Sequence, residues 1–408
     1  MARFEGIDFY DLDSLFTEEE RMIRDTVRAF VEDRVMPIIG EAYIERKFPK
    51  QLIPELGELG VYGANLPEKY GCAGLNNVSY GLIMQELERG DSGLRSFASV
   101  QGSLCMYPIH AYGSEEQKQR WLPPLIRGET KSCFGVTEAD AGLDTTSIAT
   151  TARRPDEGYE IHGKKVWTST AQEADKIMLL ARTTPKEECE RHTDGMTLFY
   201  TDLDRDYCDV TTIPKMSRAS VDSCEVFVDG LPVPAEDRVG EEGQGFACLL
   251  HSLNPERILI AAEAIGIGRN ALARATEYAK TRVVFDRPIG QNQAIQHPLA
   301  QSWMELEAAW MMTMRAASLY DSGEPCGLEA NAAKYLAGEA GFQACTRAVM
   351  THGGMGYAKD QWSAKPLVTM ETDDIVAIAS EEVALRTVFS DEIDRMEPQE
   401  NEVMTWSV

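Results

Sequence analysis

The chain has 408 residues, 43% of them hydrophobic and 26% charged, as is typical of a folded protein with two or three domains. Lys and Arg number 40 against 66 Asp and Glu, so the formal net charge is −26. That balance argues against a nucleic-acid partner, because phosphates require a basic face. A protein this acidic must concentrate its few cations wherever it binds an anionic ligand.

Targeting and redox features favour a cytoplasmic protein. The N-terminal stretch MARFEGIDFYDLDSLF has no apolar core of signal-peptide length. No apolar run approaches the roughly 18 residues of a membrane span, so we expect none. The nine cysteines are scattered without a C-x-x-C pair, which indicates reduced thiols. The six histidines are equally dispersed, and we expect no metal site.

Helical patterns fill the first domain, which we predict to span residues 1–128. Thr17 with Glu20, and Ser114 with Gln117, match the capping box that begins many helices. Apolar residues at helical spacing follow the first box. They are Ile23, Val27, Phe30, Val31 and Val35.

The pattern changes over residues 129–242, where short segments are rich in β-branched and aromatic residues and are separated by turn formers. These segments are YEIHGKKVW (159–167), KIMLLART (176–183), GMTLFYTDL (195–203) and SCEVFVDG (223–230). We predict a middle domain built as an antiparallel sheet or small barrel.

Helical patterns return over residues 243–408. The stretches ILIAAEAIGIGRNALARATEYA (258–279) and WMELEAAWMMTMRAASLY (303–320) are rich in Ala and Met, which favours close helix packing. The order of helices, sheet and helices predicts an α+β protein with three domains.

Four segments, in order, carry a resemblance to a known family. They are CFGVTEADAGLD (133–144), GKKVWTST (163–170), RVVFDRPIGQNQAIQ (282–296) and THGGMGY (351–357). Together they resemble the acyl-CoA dehydrogenases over nearly the whole chain. The resemblance implies a C-terminal four-helix bundle, an FAD cofactor, a homotetramer and a role in fatty acid metabolism. It also implies an acyl-CoA or acyl-carrier thioester as substrate and an electron-transfer flavoprotein as electron acceptor.

The same resemblance assigns the FAD contacts. Residues implied to line the flavin or approach it closely are Phe134, Val136, Thr137, Gly142, Trp167 and Ser169. Residues implied to reach the rest of the cofactor, across subunits of the tetramer, are Arg282, Phe285, Gln293, Gly353, Gly354 and Glu381. Read without the family, Trp167 suits a core aromatic and Arg282 a solvated cation at a helix end.

A carboxylate must remove the α-proton of the thioester while hydride leaves the β-carbon. Most family members carry this glutamate on a late loop, where alignment puts Ala377. In isovaleryl-type and long-chain-type members it lies earlier, in a motif that resembles NPERILIA (254–261). Glu256 matches that base and Arg257 the arginine that approaches substrate. Locally, Asn254-Pro255-Glu256 is also typical of a plain helix start.

The stretch from 86 to 117 resembles the glutaryl-CoA dehydrogenase branch. There Glu88, Arg95 and Ser99 match residues that hold the distal carboxylate of the acyl group. A buried cation favours an anionic partner, so a dicarboxylyl substrate is one hypothesis. The alternative is that Arg95 and Glu88 form an ion pair that joins two helical turns.

The resemblance therefore implies an FAD-dependent enzyme that oxidises an acyl thioester to the trans-2-enoyl thioester. Leu143, Met350 and the acidic stretch at 365–374 depart from the family pattern. The alternatives are a decarboxylating dehydrogenase, a flavin oxidase or monooxygenase, and a non-catalytic scaffold on the same fold.

Overall fold

The computed structural model describes residues 6–155, 158–251, 253–357, 368–371, 376–379 and 395–396. Seven α-helices precede the sheet: α1 Glu18–Phe30, α2 Ile39–Ile44, α3 Leu52–Glu58, α4 Asn77–Gly90, α5 Ser92–Ser99, α6 Tyr107–Tyr112 and α7 Glu115–Ile126. Single π-helical segments, Val31–Val35 and Val100–Met106, follow α1 and α5.

Both predicted capping boxes are present. Thr17 Oγ1 accepts the backbone N–H of Glu20 at 3.2 Å, and Glu20 Oε2 accepts the N–H of Thr17 at 2.8 Å. Ser114 and Gln117 exchange equivalent bonds at 3.2 and 2.8 Å. Each box satisfies two N–H groups that a helix start leaves without partners, so local sequence fixes where α1 and α7 begin.

The sheet has eight strands: β1 Ser132–Gly135, β2 Thr151–Arg153, β3 Tyr159–Ser169, β4 Lys176–Arg182, β5 Met196–Asp202, β6 Cys208–Thr212, β7 Ser223–Val233 and β8 Arg238–Val239. Their order is β6-β7-β3-β2-β4-β5-β8, with β1 beside β4. The four predicted segments form β3, β4, β5 and β7. The expected antiparallel pairing holds for most strands, but β1 and β2 each pair with β4 in parallel. The purely antiparallel prediction was therefore too narrow, because β1 enters the sheet directly from the helical domain.

A bulge near the end of β3 turns one side chain out of the sheet. The register with β7 shifts between Lys165 and Thr168, and the intervening Trp167 has a positive φ of 60°. Trp167 is 59% exposed in consequence, so the core-aromatic alternative is wrong.

The third region is helical: α8 Gly245–His251, α9 Leu253–Thr281, α10 Gln293–Asp321, α11 Gly327–His352 and α12 Gly354–Tyr357. A hairpin, β9 Val283–Val284 and β10 Arg287–Pro288, separates α9 from α10. Short strands β11 Val368–Glu371, β12 Val376–Ala379 and β13 Arg395–Met396 follow. A fourth bundle helix beyond α11 is expected among residues that fall largely outside those described.

Alanines allow α9, α10 and α11 to pack closely, as predicted. Buried alanines at this contact are Ala261, Ala262, Ala309, Ala316, Ala317, Ala330, Ala333, Ala337, Ala340 and Ala344. Helix α4 of the first region packs against α9 at Gly266, where a Cβ atom would lie 2.4 Å from the carbonyl oxygen of Gln85. This close approach fixes α9 against the N-terminal helices and so sets the position of the candidate site.

Within the described ranges, no helix is both long and apolar enough to cross a membrane.

Candidate active site

Glu256 lies in the first turn of α9, where the residue is half-buried and one oxygen of its carboxyl group is enclosed by protein. The Oε2 oxygen is inaccessible to solvent and has no hydrogen-bond partner. Burial raises the pKa of Glu256 to about 7, and the positive charge of Arg95 opposes that rise. The helix-start alternative and the catalytic one are both compatible with this position, but a helix-start acid has no need of burial. Arg257 follows it, half-buried, in the same turn.

The three residues predicted to hold a distal carboxylate lie together. Arg95 Nε donates to Glu88 Oε2 at 2.5 Å, and Arg95 Nη1 donates to Ser99 Oγ at 3.2 Å. All three side chains are buried. The ion pair between α4 and α5 that we considered as an alternative is therefore present.

A second carboxyl on α9, which the sequence reasoning missed, reaches the same arginine. Glu263 Oε1 lies 3.1 Å from Arg95 Nη1, and Glu263 is 4% exposed. Burial raises the pKa of Glu263 well above its usual value, and Arg95 opposes the rise. Glu263 follows Glu256 by seven positions, about two helical turns, so the two acids share one face of α9. The available signal was an acid inside the apolar run ILIAAEAIG.

Arg218, from the segment between β6 and β7, is a further missed member of this group. Its charge acts on Glu88 and Glu263, and its Nε atom is buried without a hydrogen-bond partner. Desolvation lowers the pKa of Arg218, with the neighbouring Arg95 adding to the effect. This buried cluster therefore combines four carboxyl groups, those of Glu88, Asp91, Glu256 and Glu263, with two guanidinium groups, and its members come from all three regions of the chain.

The residues predicted to line the flavin lie on β1, on the segment that follows it, and at the end of β3. Phe134 is in β1, and the backbone N–H of Val166 donates to the carbonyl of Thr137 at 2.9 Å. That bond holds the segment containing Val136 and Thr137 against β3, which carries Trp167 and Ser169.

A buried ion pair beneath this segment was also missed. Lys165 Nζ donates to Glu138 Oε1 at 2.7 Å and to the carbonyl oxygen of Val136 at 3.1 Å. Glu138 in turn accepts the N–H and Oγ1 of Thr150 at 3.0 and 2.6 Å. Burial lowers the pKa of Lys165 to about 8, and Glu138 opposes that change. The pair anchors the backbone between Val136 and Glu138.

Models of the acyl-CoA dehydrogenase N-terminal, middle and C-terminal domains match residues 17–129, 133–231 and 243–388. The chain belongs to the acyl-CoA dehydrogenase family. Acyl-CoA dehydrogenase FadE12 of Mycobacterium tuberculosis is 35% identical over 378 residues, which cover 91% of this chain and 96% of the relative.

Two solved structures are similar to the whole dehydrogenase. A glutaryl-CoA dehydrogenase from Mycobacterium smegmatis in complex with FADH2 is 34% identical, with a TM-score of 0.80 over 86% of this chain and 88% of that one. A structure described as the electron transferring flavoprotein of Acidaminococcus fermentans is 33% identical, with a TM-score of 0.80 over 86% and 90%. The enzyme therefore catalyses FAD-dependent dehydrogenation of acyl-CoA.

Open glycines in the dehydrogenase fit a large flat cofactor. A Cβ atom built at Gly142, Gly353 or Gly354 would meet no atom within 4 Å, so a ligand can approach the backbone there. Gly353 ends α11 with a φ of 58°. Glu381, the last residue in the predicted FAD set, lies outside the described residues, as does the side chain of Ala377.

The remaining predicted FAD residues lie between the end of α9 and the first residue of α10. In this single chain Arg282, Phe285 and Gln293 are exposed to solvent. The exposure of Arg282 agrees with the alternative interpretation of a solvated cation at a helix end. Phe285 is 94% exposed and has a φ of 53°. A bulky side chain at positive φ costs energy and is found preferentially at functional sites, which favours a contact role for this hairpin.

A cavity of about 780 Å³ lies in the middle region of the dehydrogenase. Its cationic lining residues are Arg153, Arg154, Arg182 and Lys186, against a single acid, Glu187. Such a concentration of cations is unusual in a chain of net charge −26. The cavity is therefore suited to an anionic group.

Proposed function

We propose that Glu256 is the base that removes the α-proton of the bound acyl thioester. The observation that carries this assignment is its buried Oε2 oxygen, which has no hydrogen-bond partner in the protein. Such an oxygen is costly unless a ligand completes its surroundings. A pKa of about 7 also suits a general base that works near neutral pH.

Loss of the α-proton gives a double bond only if hydride leaves the β-carbon in the same reaction. When bound, FAD supplies the acceptor for that hydride. Phe134, Val136 and Thr137 would line its ring, with Trp167 and Ser169 beside it. Arg257, next to the base, approaches the thioester from α9. The product is the trans-2-enoyl thioester.

The cation-lined cavity would bind the phosphorylated nucleotide of CoA. Its support is charge alone, since four cationic residues line the cavity and the nucleotide carries several negative charges. If so, changing both Arg153 and Arg154 to Ala weakens kcat/KM for butyryl-CoA by about tenfold or more but leaves butyryl-pantetheine unaffected, because pantetheine lacks the nucleotide. If steady-state assays show that kcat/KM falls equally for both thioesters, this part of the proposal is contradicted.

The active enzyme would be a homotetramer in which Arg282, Phe285, Gln293 and the Gly353–Gly354 pair complete the FAD site of another subunit. The exposure of these residues in one chain supports this arrangement. Electrons would leave through an electron-transfer flavoprotein, as the similarity to the Acidaminococcus fermentans structure suggests. Nine unpaired cysteines are in keeping with a cytoplasmic location. A role in fatty acid metabolism would follow from an acyl-CoA substrate.

A dicarboxylyl thioester is the second candidate substrate. It is raised by the resemblance to the glutaryl-CoA dehydrogenase branch, since Arg95, Glu88 and Ser99 do lie together. A glutaryl-type enzyme would also release carbon dioxide, so trapping of that gas separates the two candidates.

The test is conversion of a single thioester. The FAD-loaded enzyme is mixed with butyryl-CoA without oxygen, and the thioester is recovered for mass spectrometry. We expect loss of the visible absorbance of oxidised flavin and a product lighter by two hydrogens. A protein that binds no FAD, or a thioester returned unchanged, contradicts the proposal, and peroxide formed only in air identifies an oxidase.

A further inference from the structure

Glu263 is a buried acid that the dehydrogenation step does not use. It lies on the same face of α9 as the base, is 4% exposed, and its Oε1 oxygen makes no hydrogen bond of good geometry. Burying a carboxyl group in this way costs free energy unless hydrogen bonds or a charged partner compensate it. Its charged partner is Arg95, at 3.1 Å.

Two of the three nitrogens of the Arg95 guanidinium already contact the protein itself. Its Nε atom binds Glu88, and its Nη1 atom faces both Ser99 and Glu263. An arginine that is to hold the carboxylate of a substrate needs a free side with its N–H groups directed at the ligand. Here Glu263 lies beside the terminal nitrogen that would provide that side.

The charge of the groups around Arg95 also disfavours the binding of an acidic acyl tail. Four carboxyl groups lie near the guanidinium groups of Arg95 and Arg218, and they belong to Glu88, Asp91, Glu256 and Glu263. A further carboxylate, brought by a dicarboxylyl substrate, would meet like charges in a site from which water is expelled. Such repulsion is strong where the effective dielectric constant is low.

We propose that Glu263 is a specificity-determining residue, whose carboxyl group takes the place beside Arg95 that an acidic acyl tail would need. The enzyme accordingly selects thioesters with uncharged acyl tails and rejects dicarboxylyl thioesters. This inference rests on the proposed function of Glu256, because it concerns the acyl end of the same pocket.

The exclusion does not require Glu263 to be ionised. Burial raises the pKa of this carboxyl well above the usual value, which favours its protonated form, while Arg95 favours the ionised form. The ionised form repels a second carboxylate, and the protonated form still fills the space beside Nη1 of Arg95. Removal of the side chain, rather than of its charge alone, therefore gives the largest change.

The test compares glutaryl-CoA with its monomethyl ester, which has an uncharged tail. The ratio of their kcat/KM values is measured for the FAD-loaded wild type, Glu263→Gln and Glu263→Ala. The matched control is Glu307→Gln, because Glu307 is an equally buried acid that pairs with Arg269 at 2.5 Å, away from the pocket. Use of a ratio cancels any general loss of activity caused by the substitutions.

We expect the wild type to favour the ester by at least about 100-fold. Glu263→Ala should raise the glutaryl-to-ester ratio by at least about tenfold, Glu263→Gln should raise it by less, and Glu307→Gln should leave it unchanged. A wild type that prefers glutaryl-CoA, or a ratio that rises in neither Glu263 variant, overturns the inference. If the wild type oxidises neither these thioesters nor butyryl-CoA, the proposed dehydrogenation fails together with it.

Discussion

At the scale of single residues, the chemistry depends on a glutamate held between two opposing influences. Burial favours the protonated form of Glu256, whereas the cation of Arg95 favours the ionised form. The outcome is a carboxyl group with a pKa of about 7, which is ionised often enough to accept a proton and basic enough to remove one. Substrate binding expels water and strengthens both influences.

This balance predicts the pH dependence of the enzyme. Since Glu256 must be ionised to act, log kcat/KM should rise with unit slope as pH increases towards about 7 and then level off. Arg95→Met should move the inflection to higher pH, because Arg95 lowers the pKa of Glu256. Glu307→Gln serves as a control that leaves the inflection in place. A profile that is flat between pH 5 and 8 would contradict the assignment.

Sequence reasoning identified the base only through a family resemblance, and it missed Glu263. An acid seven positions along a helix shares the face of the first, but sequence alone does not reveal that a cation from α5 reaches both. Glu88, Arg95 and Ser99 were likewise identified through resemblance. Of these, only Arg95 and Ser99 lie four positions apart on one helix, where such positions meet on neighbouring turns. Arg218 lies far from Glu263 in the sequence, so no local sequence pattern predicts their electrostatic interaction.

At the scale of secondary-structure elements, a buried ion pair connects β3 to the segment after β1. Lys165 is fully buried, and its ammonium group bonds both Glu138 and the carbonyl of Val136. Truncation of one member leaves an unpaired buried charge, which is strongly destabilising. The backbone that lines the predicted flavin site should shift as a result.

We therefore expect Lys165→Met to lower the free energy of unfolding by about 3 kcal/mol or more. FAD should also be released at lower denaturant concentration, as measured by flavin fluorescence. Lys164→Met is the matched control, since Lys164 is half-exposed and its pair with Glu225 is worth about 1 kcal/mol or less. Equal effects of the two substitutions would show that the buried pair has no special role.

Local signals predicted elements better than they predicted how the elements pair. The capping boxes at Thr17 and Ser114 gave correct helix starts, because every group involved lies within one turn. The β-branched segments gave correct strands. The parallel pairing of β1 with β4 was not predicted, because it depends on where the chain leaves the helical domain and enters the sheet. The bulge that exposes Trp167 contains no glycine, so no signal in the sequence predicts it.

At the scale of the whole molecule, the C-terminal helices expose many apolar side chains. On α11 they are Leu328, Tyr335, Leu336, Phe342 and Met350. A surface of this kind is typical of subunit contacts. It supports the proposed tetramer, in which Phe285 and its neighbours would complete the FAD site of another subunit.

Phe342→Glu should therefore reduce the molar mass measured by light scattering to that of a smaller assembly, because a buried charge opposes association. Met216→Glu is a suitable control, since Met216 is exposed to a similar degree, 63% against 67%, but lies in the middle region. A wild-type protein that is monomeric at all concentrations would contradict this part of the account.

The most direct test of the central claim is anaerobic rapid mixing of butyryl-CoA with FAD-loaded Glu256→Gln and Glu307→Gln. Both substitutions remove one buried carboxyl group from the C-terminal helices, but only the first removes the proposed base. The account predicts that Glu307→Gln bleaches the flavin at the wild-type rate and that Glu256→Gln is slower by about 10³-fold, although it still binds FAD. Bleaching by Glu256→Gln within tenfold of the wild-type rate would contradict it.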